Sequence, residues 1–177
     1  MSNTPYFPPI VIGSNTYDLS HLDPFKFEFQ SNLAKRKIRV NVSFTSHCFS
    51  EGEGKNGGEN IDTDTPRPRF FCLTRYRLSK DLPKILASLN DPRVKVKQTK
   101  SRRNWVYSIK IDDPSGPYHI FFEVKKSEGD KAKFQDVNLV VESAYHEEKS
   151  PPKVLGRMNF QLLCSKIYMR RPVATKR

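Results

Sequence analysis

Two histidines, two glutamates and a lysine stand at alternate positions in YHIFFEVKK (118–126) and DVNLVVESAYH (136–146): His119, Glu123, Lys125, Glu142 and His146. A carboxylate as base, an imidazole as acid and cations over a phosphate are the set that metal-free RNA cleavage needs. They deprotonate a 2′-hydroxyl, stabilise a phosphorane and protonate the leaving 5′-oxygen. His119, Glu123, Glu142 and His146 are therefore the candidate catalytic residues. Ser143 lies beside them, but no nucleophile elbow or Gly-rich phosphate loop accompanies it, so it is not read as a nucleophile.

The two segments read as antiparallel strands joined by the polar turn SEGDKAKFQ. Side chains on a pleated strand alternate between faces. That assigns Tyr118, Ile120, Phe122, Val124, Val137, Leu139, Val141, Ser143 and Tyr145 to a core face. It assigns His119, Phe121, Glu123, Lys125, Asn138, Val140, Glu142, Ala144 and His146 to an open one. Pairing parity then places Glu123 opposite Asn138 or Val140, and His119 opposite Glu142 or Ala144, within contact range. NWVYSIKI, paired on the far side, adds Ser108 and Lys110 to the same surface. The alternative is a solvated sheet face with cross-strand ion pairs.

Charge points to the partner. The 177 residues carry 31 Lys and Arg against 19 Asp and Glu, a formal net charge of +12. Such an excess costs self-repulsion and suits a polyanion, so nucleic acid is the expected partner, RNA by preference, with salt-sensitive binding. Basic residues cluster at 35–37, 67–69, 75–77, 95–97, 100–103 and 170–171, interleaved with Tyr76 and Trp105 as stacking candidates. Lys100, Arg102 and Arg103 crowd one short turn, expected to clamp phosphate next to the hairpin face, with Lys110 and Lys125 completing the nucleic-acid-binding set. An acidic protein partner is the weaker alternative.

Cys48, Cys72 and Cys164 make an odd count in a chain that opens MSNTPYFPP, with neither a charged nor an apolar leader region, which predicts a reduced, cytoplasmic protein. His47, Cys48, Cys72 and His21 hold ligand types for zinc. However, no CxxC or HxxxH spacing is present, so buried free thiols are expected, with no metal and no cofactor. Apolar runs fall far short of the ~20 residues a membrane helix needs, so no membrane association is expected.

Chain order predicts one domain with an α+β fold: a largely antiparallel β-sheet, a firm helix over about 79–89 and a C-terminal helix in MNFQLLCSKIY. The helix has Ser79 as N-cap, with Leu82, Ile85, Leu86 and Leu89 at i, i+3, i+4 and i+7. An N-terminal β segment (10–49) holds PIVI, its return NTYDLSHL, FKFEF and IRVNVSFTSHCF, and the helix-plus-sheet segment runs over 69–168. FFCLTRYRL reads as a further alternating strand, and EEKSPPKVLGR as a polar, Pro-rich turn. Residues 50 to about 67 hold four of the eight glycines and one aliphatic residue, and are expected to form a mobile loop.

The succession LSKDLPKILASLNDPRVKV, NWVYSIKI, YHIFFEVKK and DVNLVVESAYHEE gives helix, basic strand, strand and long hairpin. The last strand ends in a hydroxyl residue plus an aromatic. Over about residues 79–146 this pattern resembles the compact ribonuclease superfamily of barnase, colicin-type tRNases and bacterial mRNA-interferase toxins. The resemblance implies RNA cleavage without metal by variable residues on an exposed sheet face. It further implies a toxin or defence effector, and with it an inhibitory protein partner. A non-catalytic RNA- or DNA-binding module using the same basic surface is the second expectation.

Overall fold

Alternation organises the largest layer of the protein. In Phe25–Ser31 (β3) and Arg36–Phe44 (β4) every second residue of the latter is buried, with Ile38, Val40, Val42 and Phe44 no more than 1% exposed. Burying one face of such strands against helices is what a half-apolar sheet requires. A computed structural model describes residues 5–52, 58–62, 67–100 and 104–175.

A short hairpin of Ile10–Ile12 (β1) and Asn15–Tyr17 (β2) precedes β3 and β4. After β4 come Ser50–Glu51 (β5), Asn60–Asp62 (β6) and Arg69–Phe71 (β7), which form a three-stranded sheet of order β5-β7-β6. Helices Leu73–Ser79 (α1) and Leu82–Ala87 (α2) follow, then strands Lys95–Thr99 (β8), Trp105–Asp112 (β9), Ser115–Lys126 (β10), Val137–His146 (β11) and Val154–Asn159 (β12). The series closes with Phe160–Tyr168 (α3). The large sheet has seven strands in the order β12-β8-β9-β10-β11-β4-β3, and only the β11–β4 pair is parallel. The fold is therefore α+β and mainly antiparallel, with a C-terminal helix.

The helices pack on one face of this sheet. Leu82, Leu86 and Leu89 from the α2 region and Phe160, Leu163 and Cys164 from α3 are fully buried with Ile120, Phe122, Leu139 and Val141 of the strands. Asn159 caps α3 by accepting a hydrogen bond from the Leu162 amide at 3.0 Å. A buried carboxylate sets the one parallel pairing. Asp136 accepts from the Arg39 amide at 2.8 Å and from its guanidinium at 3.0 Å, and its own amide donates to the Arg39 carbonyl at 2.9 Å.

Three elements differ from the sequence expectation. FFCLTRYRL is a strand only through Phe71 and then turns helical, because Cys72, Tyr76 and Ser79 at i, i+4 and i+7 face the core. Ser79 consequently ends α1 rather than capping the next helix, and Asp81 is the N-cap of α2, with Pro83 in its first turn. Within EEKSPPKVLGR lies the start of β12, an edge strand. Of the expected loop at 50–67, β5 and β6 are ordered strands, while residues 53–57 and 63–66 lie outside the described residues. Among the described residues, no helix is long and apolar enough to cross a membrane.

Candidate functional site

The face of the seven-stranded sheet away from the helices carries the chemistry, and one irregularity decides which residues reach it. Phe122 pairs with Val141 but Phe121 with Ser143, so Glu142 is an extra residue in β11, a β-bulge. Beyond it the two faces exchange. Ala144 and His146 pair with Ile120 and Tyr118 on the core side, while Ser143 and Tyr145 pair with Phe121 and His119 on the open side. This corrects the expected faces at Ser143, Ala144, Tyr145 and His146. Thr45 pins the bulge: its amide donates to the Val141 carbonyl at 3.0 Å and its hydroxyl to the Glu142 carbonyl at 2.8 Å.

Because β12 lies at the far edge from β11, residues 147–153 must pass over β10, β9 and β8, on the open side of the sheet, to reach it. The crossing is tied down by the Glu147 amide donating to the Pro117 carbonyl at 3.3 Å and the Lys100 amide to the Lys153 carbonyl at 3.1 Å. It covers His119, which is 5% exposed, with Nδ1 at 2.8 Å from the Ser108 hydroxyl and Nε2 at 3.3 Å from the Glu147 carbonyl. Burial holds the His119 pKa below the usual imidazole range. His119 stands opposite Tyr145, so the expected contact with Glu142 is not formed. His146 is turned away from the open face, its Nε2 at 2.9 Å from the Ser115 carbonyl and 3.8 Å from Glu148.

What the bulge, the crossing segment and the Ser46–Cys48 turn enclose is an open cleft of about 760 Å³. Phe121, Tyr145 and Ser143 line it from the sheet, Thr45, Ser46 and His47 from the turn, and Lys100, Pro152 and Lys153 from the rim. Glu142 enters from the bulge and accepts a hydrogen bond from the Asn104 amide group. Phe121 and Tyr145 stack with ring centroids 5.3 Å apart and planes inclined by 20°, and the Arg75 guanidinium lies 5.2 Å from the Tyr145 centroid. Arg75 is anchored by donating to the Ser50 carbonyl at 2.8 Å and the His47 carbonyl at 3.2 Å. Burial, then Arg69 and Arg75, lower the His47 pKa, so the imidazole is neutral near pH 7. Burial raises the Tyr145 pKa, so its hydroxyl keeps its proton.

The other expected residues scatter. Glu123 stands opposite Val140, one of the two expected positions, and pairs along its own strand with Lys125 at 2.8 Å. Ser108 and Lys110 do lie on the open face, Lys110 exposed beside Pro117. Of the expected clamp, Lys100 lines the cleft, while Arg102 and Arg103 lie outside the described residues. Trp105 and Tyr76 are 2% and 8% exposed, core residues that cannot stack on a ligand. Sequence reasoning weighed His47 only as a zinc ligand and missed its place in the cleft, because its segment was taken as a continuous strand. Thr45 followed by Ser46 was the available signal, since the Thr45 hydroxyl accepts from the His47 amide at 3.3 Å and starts a turn. Lys97, counted among the basic clusters, lies directly opposite Arg157, which was missed, on the open face next to Val106.

Cys48, Cys72 and Cys164 are buried free thiols, and burial pushes the Cys48 pKa up to about 12. His21 is engaged with the Ser79 hydroxyl at 2.8 Å, and no cluster of three or more metal-ligating side chains occurs among the described residues.

No curated protein and no solved structure matches this chain. A family model does, over residues 9–168, which takes in every element from β1 to α3. By that match across nearly its whole length, the chain belongs to the YjaZ family.

Proposed function

We propose that the chain is an RNA-binding module that takes a single strand into the cleft on its open sheet face. The stacked Phe121–Tyr145 pair carries this reading: two aromatic rings line a solvent-open cleft on a protein of net charge +12. Aromatic rings on a sheet offer a π-face to any unstacked base, and surrounding cations track the backbone. Lys100 and Lys153 at the rim, and Lys97 and Arg157 on the adjoining strands, supply those cations. A duplex, whose bases are already stacked, gains nothing from the rings. Fluorescence anisotropy with a labelled single-stranded RNA decamer and with its duplex tests the proposal. Tighter, salt-sensitive binding of the single strand is expected, and equal affinity for the two, or binding indifferent to salt, overturns it.

A second reading, metal-independent RNA cleavage, is favoured by one observation: Glu142 and His47 line the same cleft as Tyr145. In that reading the neutral His47 accepts the 2′-hydroxyl proton as the 2′-oxygen bonds to phosphorus. The bond from phosphorus to the 5′-oxygen breaks, and the Tyr145 hydroxyl protonates the leaving oxygen. Products ending in a 2′,3′-cyclic phosphate, formed in EDTA and lost in His47→Ala, are expected. Intact RNA after prolonged incubation removes this reading and leaves the binding one standing.

A further inference from the structure

A second group of polar and aromatic side chains lies on the open face, near the start of the parallel β4–β11 pair, whereas the cleft lies past its end. Register sets Lys26 of β3 beside Asn41 of β4, Asn41 beside Asn138 of β11, and Asn138 beside Lys125 of β10, one row across four strands. Phe25 and Phe27, on either side of Lys26, pair with the buried Val42 and Val40, so the row faces away from the helices. The Asn41 amide group donates to the Asn138 side-chain oxygen at 2.9 Å, which leaves the Asn41 oxygen and the Asn138 amide protons for a further partner. After the Gly129–Lys133 turn comes Phe134, whose ring is 64% exposed with the Lys26 ammonium 6.0 Å from its centroid. The ring is not held out by a loose chain. Arg39 donates to the Lys133 carbonyl at 2.8 Å and to the Ala132 carbonyl at 3.2 Å, and the Phe134 amide donates to the Lys131 carbonyl at 3.0 Å. A fixed aromatic face beside a cation loses little freedom when a base settles on it.

We propose that this row is a second base-binding site on the same RNA strand: a base stacks on Phe134, a base edge meets the Asn41–Asn138 amides, and Lys26 holds a phosphate. Lys125, engaged by Glu123 at 2.8 Å, leaves Lys26 as the cation for that contact. The proposal rests on the RNA reading of the cleft and gives the strand its path, over Ser43 and Val140 to Phe134. Phe121 and Lys125 are four residues apart on β10, about 13 Å, and β10 and β3 are three strand spacings apart, about 14 Å, so the two sites lie about 20 Å from each other. A decamer, about 34 Å long even at the rise of a stacked strand, reaches both.

Substitutions at Phe134 test it, because the exposed ring can be changed without touching the core. Phe134→Ala and Phe134→Leu should each weaken binding of the single-stranded RNA decamer by about fivefold or more, the low end of one base–aromatic stack, while the melting temperature stays as in the wild type. Leucine keeps the apolar bulk and lacks the π-face, so its loss separates stacking from simple hydrophobic contact. Phe134→Trp should keep the affinity and place an indole in the site. Trp105, the one native tryptophan, is 2% exposed, so quenching of fluorescence by the decamer in this variant reports a base on residue 134. Wild-type decamer affinity in Phe134→Ala, wild-type affinity in Phe134→Leu, or an indole at 134 that saturating decamer leaves unquenched would each overturn this second site and leave the cleft standing. A wild-type protein that binds no decamer at all would overturn the RNA reading and this site together.

Discussion

The rings of Phe121 and Tyr145 stack at 5.3 Å only because Glu142 is an extra residue between the registers on either side of it. Without that bulge Tyr145 would point into the helices and the cleft would lose half its aromatic surface. Phe121→Ala and Tyr145→Ala should each weaken single-stranded RNA binding by about 1–3 kcal/mol, the range of a base–aromatic stack. Phe121→Tyr, which keeps the ring, should change it little. Anisotropy titrations at one fixed salt concentration decide this. Wild-type affinity in both alanine variants would show that the strand does not enter between these rings and their surroundings.

Charge removal should separate the cations on the open face. Lys97 and Arg157 are exposed and directly opposed, whereas Lys125 is paired with Glu123 at 2.8 Å. Neutralising a phosphate contact lowers the slope of log affinity against log salt by about 0.7 for a single strand. Lys97→Gln and Arg157→Gln are each expected to lower the slope by that amount. Lys125→Gln, which frees the Glu123 carboxylate as it removes a cation, should weaken binding while acting mainly through repulsion. A slope identical to wild type in the Lys97→Gln/Arg157→Gln double variant would take these strands off the binding surface.

Much of this arrangement can be read from residue order, and the parts that cannot have physical reasons. Period-two burial at Ile38, Val40, Val42 and Phe44, and at Tyr118, Ile120, Phe122 and Val124, follows from the alternation of apolar and polar residues along the strand. The i, i+3, i+4, i+7 set from Leu82 to Leu89 follows likewise from its helical spacing. The bulge does not, since VNLVVESAYH keeps alternating in sequence while the ladder slips by one residue at Glu142. Tyr145 and His146 therefore change places between the expected and the observed site. Helix α1 is concealed by Phe70, Phe71 and Leu73, which mimic a strand, although Cys72, Tyr76 and Ser79 carry the helical spacing. Edge strand β12 is concealed for a different reason: Val154 and Leu155 remain 42% and 38% exposed, so only Met158 shows a core pattern. His119 has the residue type for catalysis but is sealed by a backbone segment more than twenty-five residues downstream in sequence, a contact that no local pattern encodes.

Acidification from neutral pH should destabilise the fold through its buried histidines. Burial lowers the pKa of His21, His47 and His119 below 6.5, so the unfolded chain takes up protons that the folded one refuses. Their contribution is complete above pH 6.5 and is lost as pH falls from there toward the depressed folded values. Melting temperature is thus expected to decline between pH 7 and pH 5. His119→Gln, which still reaches the Ser108 hydroxyl, should show a shallower decline. A melting temperature that rises on acidification over this interval would contradict the burial of these rings.

Asp136 ties stability to the geometry of the cleft. It is 5% exposed and receives the amide of Arg39 at 2.8 Å and its guanidinium at 3.0 Å, with Arg36 at 3.4 Å. Burial by itself would raise its pKa, but the hydrogen bonds from the Arg39 side chain and backbone outweigh that and hold it below 3.8. Both guanidinium groups remain partly wetted, Arg39 at 34% and Arg36 at 48% exposed, which tempers what the pairing contributes. Asp136→Asn, which keeps the shape but not the charge, should cost about 1–2 kcal/mol in urea unfolding at pH 7. A depressed carboxyl pKa contributes stability above the unfolded value and loses it as pH falls through the folded one. The gap between wild type and variant should therefore close as pH drops below about 4. Because this carboxylate sets the parallel register of β4 and β11, and Thr45 just past β4 pins Glu142 in β11, the same variant should also weaken RNA binding. A stability gap that stays open at pH 3 would show that the aspartate acts through packing rather than through its charge.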